Sequence, residues 1–348
     1  MHAVVPALLG AALVVTGCSV VGEDGGSDQP ASDRVVLVTH DSFALPKQLV
    51  ARFEEQSGYR LVVRGSGDAG TLTNKLVLTQ DDPLGDVAFG VDNTFASRAL
   101  DAGVFAPYDA ALPDGADRYR LPGDDEHALT PVDNGNVCVN VDDTWFADHH
   151  LAAPTDLDDL ADPAYKDLFV TPGAATSSPG MAFLLATIAA YGEDGWQDYW
   201  SRLMANGTEL VDGWSQAYEV DFTQGGGKGD RPIVLSYDSS PAFTVSGGRS
   251  STSALLDTCF RQVEYAGVLA GAENPTGAEA LVDFLLTPEV QAALPDSMYV
   301  FPVDASVPLP RQWSRFARQP TDPLTVAPAD ISAHRDEWLR EWSDVTSR

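Results

Sequence analysis

Several short runs in this chain combine hydroxyls, carboxylates and flat aromatic rings: His40-Asp41-Ser42-Phe43, Gly67-Asp68-Ala69-Gly70, Asp92-Asn93, Thr176-Ser177-Ser178-Pro179-Gly180, Gly213-Trp214-Ser215-Gln216-Ala217-Tyr218 and Ser236-Tyr237-Asp238-Ser239-Ser240-Pro241. Their chemistry is that of recognition. Trp214 and Tyr237 present faces that suit an aromatic or cationic ring, and a carboxylate such as Asp68 neutralises or hydrogen-bonds one. Ser177 and Ser178 precede an apolar helical pattern, so their hydroxyls and the first helical N–H groups suit a phosphate or a hydroxyl. Helix capping alone accounts for the same two serines.

The motifs of catalysis are missing. Gly225-Gly226-Gly227-Lys228-Gly229 has glycine where a phosphate loop needs Ser or Thr after the lysine, and reads as an exposed turn. No Gly-x-Ser-x-Gly elbow is present. His149 and His150 are adjacent, so on a helix their rings diverge and cannot grip one metal. Paired carboxylates carry no information in so acidic a chain. No catalytic residue, metal site or cofactor is expected.

The recognition runs all fall where strands end or helices begin. Strand patterns rich in β-branched residues run over 35–40, 59–65, 86–91, 136–142, 167–173, 208–213, 232–238 and 261–269, with 131–135 as a crossing segment. Helical spacing follows several of them, at Leu45-Leu49-Val50-Phe53, Leu72-Leu76-Val77, 180–191, 196–203, 278–286 and a tail with Ile331, Trp338 and Trp342 on one face. This alternation predicts an α/β fold with a largely parallel sheet and ligands at the carboxyl ends of its strands.

With 348 residues, two domains are expected at roughly 150 residues each. Against 51 acidic side chains stand 21 basic ones, a net charge of -30 with no Lys/Arg cluster, which excludes a nucleic-acid backbone as partner. Residues 3–15 form an apolar run of secretory length, too short for a bilayer span. It ends at Val15-Thr16-Gly17-Cys18, which resembles a lipobox, although no Lys or Arg precedes the run. We expect a signal peptide over 1–17, acylation at Cys18 and a flexible Gly/Ser/Asp-rich tether over 18–33. An even remainder, Cys138 and Cys259, suggests a disulfide in an exported protein, with two buried thiols as the alternative.

Eight segments carry a resemblance to a known family: THDSFALP at 39–46, DVAFGVDN at 86–93, ATSSPGMAFLL at 175–185, DGWSQAYEV at 212–220, VLSYDSSPAF at 234–243, VDFLLTPEVQAALP at 282–295, MYVFPV at 298–303 and the tail DEWLREWSDVTSR. In these the chain resembles the thiamine-binding subunits of bacterial ABC importers, among the two-lobed periplasmic solute-binding proteins. The resemblance implies a type II periplasmic-binding-protein fold, with lobe one from 34–131 and 264–348, lobe two from 132–263, and a hinge of crossing strands near which Cys138 and Cys259 would be bonded. It implies ligand contacts at Asp68, Ala69, Ser177, Ser178, Trp214, Tyr237, Asp238, Ser239 and Ser240, with Tyr218 beside them and His40, Asp41 and Phe243 as further contacts.

The implied ligand is thiamine, its monophosphate or its diphosphate, and the implied partners are a permease and its ATPase, met by a lipid-anchored monomer outside the cytoplasmic membrane. Three positions depart from the family pattern: His40 and Phe243 stand in place of tyrosines, and Ser297 in place of a tryptophan. Other solutes fit less well. A ferric ion would ask for adjacent tyrosines, which Tyr237-Asp238 lacks, and an anion would ask for a basic cleft; a polyamine or an exported enzyme remain as weaker alternatives.

Overall fold

Strand β1 (Arg34–Thr39) is the apolar run RVVLVT, and it lies between two parallel neighbours, β2 (Arg60–Gly65) and β3 (Val87–Asp92). The structure, a computed structural model, describes residues 33–347, which form one compact unit. The signal segment 1–17, Cys18 and the tether up to residue 32 lie outside the described residues.

Further along come β4 (Thr130–Asp142), β5 (Phe169–Pro172), β6 (Glu209–Val211), β7 (Ile233–Tyr237), the small hairpin of β8 (Val245–Ser246) and β9 (Arg249–Ser250), β10 (Thr252–Ala254), β11 (Phe260–Val268) and β12 (Phe301–Pro302). One curled sheet takes the order β2-β1-β3-β11-β4-β7-β5-β6, with β10 and β12 also on β4. Its two ends are parallel, as expected. Its centre is not: β11 runs antiparallel to β3 and β4, and β4 antiparallel to β7. These strands carry the chain from one half of the sheet to the other and back, so they must oppose each other.

The segment 131–135, expected as a crossing, is the first part of β4, whose thirteen residues are all buried. Its asparagines staple it to its neighbours, as burial demands. Asn134 donates to the Phe301 and Pro302 carbonyls (3.3 and 3.2 Å), Asn136 to the Asp238 carboxylate (2.7 Å), and Asn140 to the Tyr237 carbonyl (3.1 Å). A disulfide joins Cys138 of β4 to Cys259, just before β11. It closes a separation of 121 residues, for which loop-closure entropy predicts about 5 kcal/mol of stabilisation.

Helices cover both faces. Ser178–Tyr191 is apolar on every side and buried along its first three turns. Its start presses against the end of β5 because residue 180 is glycine: a Cβ there would lie 2.4 Å from the Gly173 carbonyl oxygen. Helix Trp196–Ala205 is amphipathic and buries Trp196, Tyr199, Trp200 and Leu203. The tail helix Pro328–Thr346 turns Ile331, Trp338 and Trp342 inward, the last at 5.6 Å from the Trp200 ring.

A cavity where strand ends converge

The carboxyl ends of β1, β2, β5, β6 and β7 lead into loops that meet around a cavity of about 320 Å³. Strand ends there release backbone groups and side chains from pairing, which is why ligands gather at such places. Its wall takes His40, Asp41, Ser42 and Phe43 after β1, Asp68 and Ala69 after β2, Ser178 and Pro179 after β5, Trp214 and Ser215 after β6, and Tyr237 at the end of β7. Ala44, Glu219, Glu264, Ser297, Met298, Tyr299 and Val300 complete it.

Asp68 ties the two halves together. As the cap of helix Ala69–Leu78 it accepts from its neighbour's N–H (2.6 Å), and its other oxygen accepts from the Trp214 N–H (2.8 Å). A β-carbon at Gly213 would stand 2.9 Å from that carboxylate, so glycine permits the approach. The Ser42 and Ser215 hydroxyls lie 3.4 Å apart, and the Thr71 N–H reaches the Thr176 carbonyl at 3.1 Å.

Trp214 is held on one face and by its polar edge. Tyr218 stacks on it at 5.1 Å, positioned by the π-helical turn Gln216–Asp221, while Tyr237 and Tyr299 flank it at 6.2 and 5.8 Å. Its indole N–H donates to Ser236 (2.9 Å), whose hydroxyl meets that of Ser240 (2.8 Å). Satisfying the indole N–H in this way lets a tryptophan sit at a cavity with its ring fixed. Tyr299 has φ 65° at the end of helix Pro288–Met298, which swings its ring into the wall, and its carbonyl accepts from the Ser239 hydroxyl.

One wall residue, Glu264, belongs to a group of buried acids with Asp133 and Asp92. Glu264 projects from β11 with the His40 imidazole 3.4 Å away, without the alignment of a hydrogen bond. Burial pushes its carboxyl well above the ordinary range, and the charge of Asp133 adds to this. Burial also raises Asp133 to about 8 and Asp92 to about 6, the latter held down in part by Thr94, Ser178 and the Phe95 N–H. Tyr237 is raised by burial and then by the charges of Glu264 and Asp68.

Of the expected contacts, Asp68, Ala69, Ser178, Trp214 and Tyr237 line the cavity, as do His40 and Asp41. Ser177, Tyr218, Asp238, Ser239, Ser240 and Phe243 are absent from that wall. Tyr218 backs Trp214, and Asp238 holds Asn136 of β4, its carboxyl raised by burial to about 7. Ser239 and Phe243 fix Tyr299, with Phe243 at 3.8 Å from its ring, and Ser240 anchors Ser236. Ser177 is fully buried at the helix start. Of the three departures, His40 and Ser297 line the cavity and Phe243 does not.

Sequence reasoning missed Glu264, Glu219 and Tyr299 as wall residues. Nothing local marks Glu264, which follows Arg261 and Gln262 in the same strand; the placement of Tyr299 depends on a left-handed turn that its surroundings alone do not announce.

A family model described as bacterial extracellular solute-binding protein matches residues 82–316, more than half of the chain. The thiamine-binding periplasmic protein of Escherichia coli (strain K12) is 28% identical over 322 residues, covering 90% of this chain and 94% of that relative. Its namesake from Brucella melitensis biotype 1 is 29% identical over 333 residues, with 91% and 93% covered. A solved structure named periplasmic thiamin binding protein matches with a TM-score of 0.78 at 28% identity, covering 94% of this chain and 99% of that one. The iron-bound HitA of Pseudomonas aeruginosa shares the fold, with a TM-score of 0.70 at 19% identity over 90% of this chain and 99% of its own. The mixed sheet and its crossing strands are thus those of the two-lobed periplasmic binding proteins, and the chain belongs to the bacterial extracellular solute-binding proteins.

Proposed function

We propose that this protein captures thiamine, or a phosphate of it, in the cavity at the converging strand ends and hands it to an ABC permease driven by an ATPase. One observation carries the reading: Trp214, Tyr237 and Tyr299 offer ring faces around a space also lined by Asp41, Asp68 and Glu219. Flat faces and carboxylates together suit a small aromatic cation, and the relatives that match most of the chain are named for binding thiamine. Among the described residues, the wall holds no pair of adjacent tyrosines of the kind a ferric ion would ask for.

In this reading the lobes are 34–131 with 264–348, and 132–263, joined by β4 and β11. Solute binding favours the closed arrangement, because Asp68 and Trp214 then contribute to one wall from the two sides. The role is one of capture and needs no catalytic residue. Cys18 would carry a lipid that keeps a monomer outside the cytoplasmic membrane. Isothermal titration of the purified protein with thiamine, backed by native mass spectrometry of the protein as isolated, tests the reading. Saturable binding at micromolar concentration or below supports it, and absence of any bound or retained thiamine species overturns it.

A further inference from the structure

We propose that Glu264 is a further contact for the bound cation, and that it gains its charge only when the cation arrives, by giving up a proton to solvent; the inference rests on the thiamine reading above and adds a residue and a proton to it. Carboxyl groups stand opposite one another on three adjacent strands. Glu264 of β11 is paired in register with Asp92 of β3 on one side and with Asp133 of β4 on the other. Side chains so opposed lie about 5 Å apart at Cβ. All are buried, Glu264 at 6% exposure and its two neighbours at 0%.

Nothing basic of fixed charge meets this row. Among the described residues no Lys or Arg lines the cavity, and Arg261 of β11 is turned to Asn136 (2.9 Å). The other groups facing Glu264 are the His40 imidazole after β1, at 3.4 Å, and Tyr237 at the end of β7. Like charges this close and this buried cannot all form, so the row holds protons while the cavity is empty. Asp92 is the member best able to carry a charge, because it accepts from the Thr94 N–H (3.0 Å), the Thr94 hydroxyl (2.7 Å) and the Phe95 N–H (3.2 Å). Asp133 has no such donor on either oxygen, and its carboxyl reaches that of Glu264. Two carboxylates only accept, so this contact needs a proton between them and the two titrate as a pair.

Of this row, Glu264 alone lines the cavity. The other wall carboxyls differ from it: Asp41 and Asp68 accept from backbone N–H groups, and Glu219 is exposed to water. A cation held between Trp214, Tyr237 and Tyr299 favours the ionised form of a carboxyl beside it. The O–H bond of the pair then breaks, its electrons stay on the Glu264 carboxylate, and the proton passes to water. The filled cavity thus carries the same net charge as the empty one. Binding that releases a proton tightens as pH rises, and by reciprocity the bound cation lowers the proton affinity of the pair.

The test is calorimetric titration of the full chain with thiamine at neutral pH in phosphate and in Tris, whose different ionisation enthalpies reveal how many protons are released. We expect a release approaching one proton per thiamine. Affinity should rise by up to about tenfold per pH unit between about pH 6 and pH 8, above the range in which the pyrimidine ring of thiamine itself takes up a proton. Glu264→Gln should abolish the release, flatten the pH profile and weaken binding about tenfold at the upper end of this range. Asp133→Asn leaves the wall intact but removes the partner that shares the proton, so Glu264 ionises in the empty protein. Its release should fall below half a proton and its affinity at neutral pH should rise. Thiamine binding without proton exchange in the unaltered protein overturns the inference and leaves the thiamine reading standing. So does a release that survives in Glu264→Gln or is unmoved in Asp133→Asn. Failure of thiamine to bind the unaltered protein overturns the thiamine reading and the inference with it.

Discussion

Two groups of large aromatic side chains, one around the cavity and one beneath the tail helix, use the same residue types for opposite ends. Trp196, Tyr199 and Trp200 come from a single amphipathic helix and are 0% exposed. Trp200 meets Phe183 at 5.4 Å and Trp342 at 5.6 Å, and its indole N–H donates to Thr187 at 3.0 Å, so its faces are packed and its polar edge is met from within the core. Trp214, Tyr237 and Tyr299 arrive from three separate segments, and each keeps a surface on the cavity. A helix delivers aromatics side by side into a packed layer, whereas strand ends and turns deliver them singly, with the polar edge tied down and a face left for a ligand. The difference is one of backbone, not of residue type.

Breaking the packed group should produce the largest effect. Trp200→Ala empties a filled site and is expected to cost about 3–5 kcal/mol of unfolding free energy, read by urea denaturation. Thiamine affinity of the folded fraction should stay within about twofold. Trp214→Ala should do the reverse: a loss of about a hundredfold in affinity by calorimetry, near 3 kcal/mol, with a smaller loss of stability than at Trp200. Equal losses of stability and of binding in the two variants would erase the distinction.

The buried acids behind Glu264 carry a penalty in charge. Asp133 holds a proton up to about pH 8 in the fold but only to the ordinary value of 3.8 when unfolded. The folded state therefore binds more protons between these values, and stability falls as pH rises through that window. Asp133→Asn should remove this decline and raise stability at pH 8 by about 1–2 kcal/mol, with no gain near pH 4. Denaturant midpoints at the two pH values measure it, and a gain of equal size at both would refute the account.

The smallest effect sharpens the contrast at one bond. Ser236→Ala leaves the Trp214 indole N–H without its acceptor and should weaken thiamine binding about threefold to tenfold, near 1 kcal/mol, while melting temperature changes little. Unchanged affinity would mean that the indole N–H does not hold the ring in place.

Most of the strands and helices were legible because each rests on a local pattern. The β-branched run of β1, the apolar helix after Ser178 and the inward stripe of Ile331, Trp338 and Trp342 need no distant partner to be recognised. Half of β4 was not, because Pro131-Val132-Asp133-Asn134-Gly135 becomes a buried strand only through Asn134 and the neighbours supplied by β11 and β12. Asp68, Trp214 and Tyr237 could be picked out by type and position at strand ends. Glu264 could not, since its exposure to the cavity follows from how β11 crosses the sheet. The serines after Tyr237 were legible as polar, but local sequence does not reveal whether a hydroxyl faces a cavity or the residue that does.

Strand β4 has a consequence in time. Its ladder partners include residues 233–237, 252–254, 260–266 and 301–302, all far downstream of its own 130–142. Pairing of this kind waits for the closure of long loops and is slow. As the chain emerges from a ribosome or threads through a membrane pore, the spine of the molecule stays incomplete until residue 302 has come through. The fold is therefore finished almost at the last moment, on whichever side of the membrane the final residues reach.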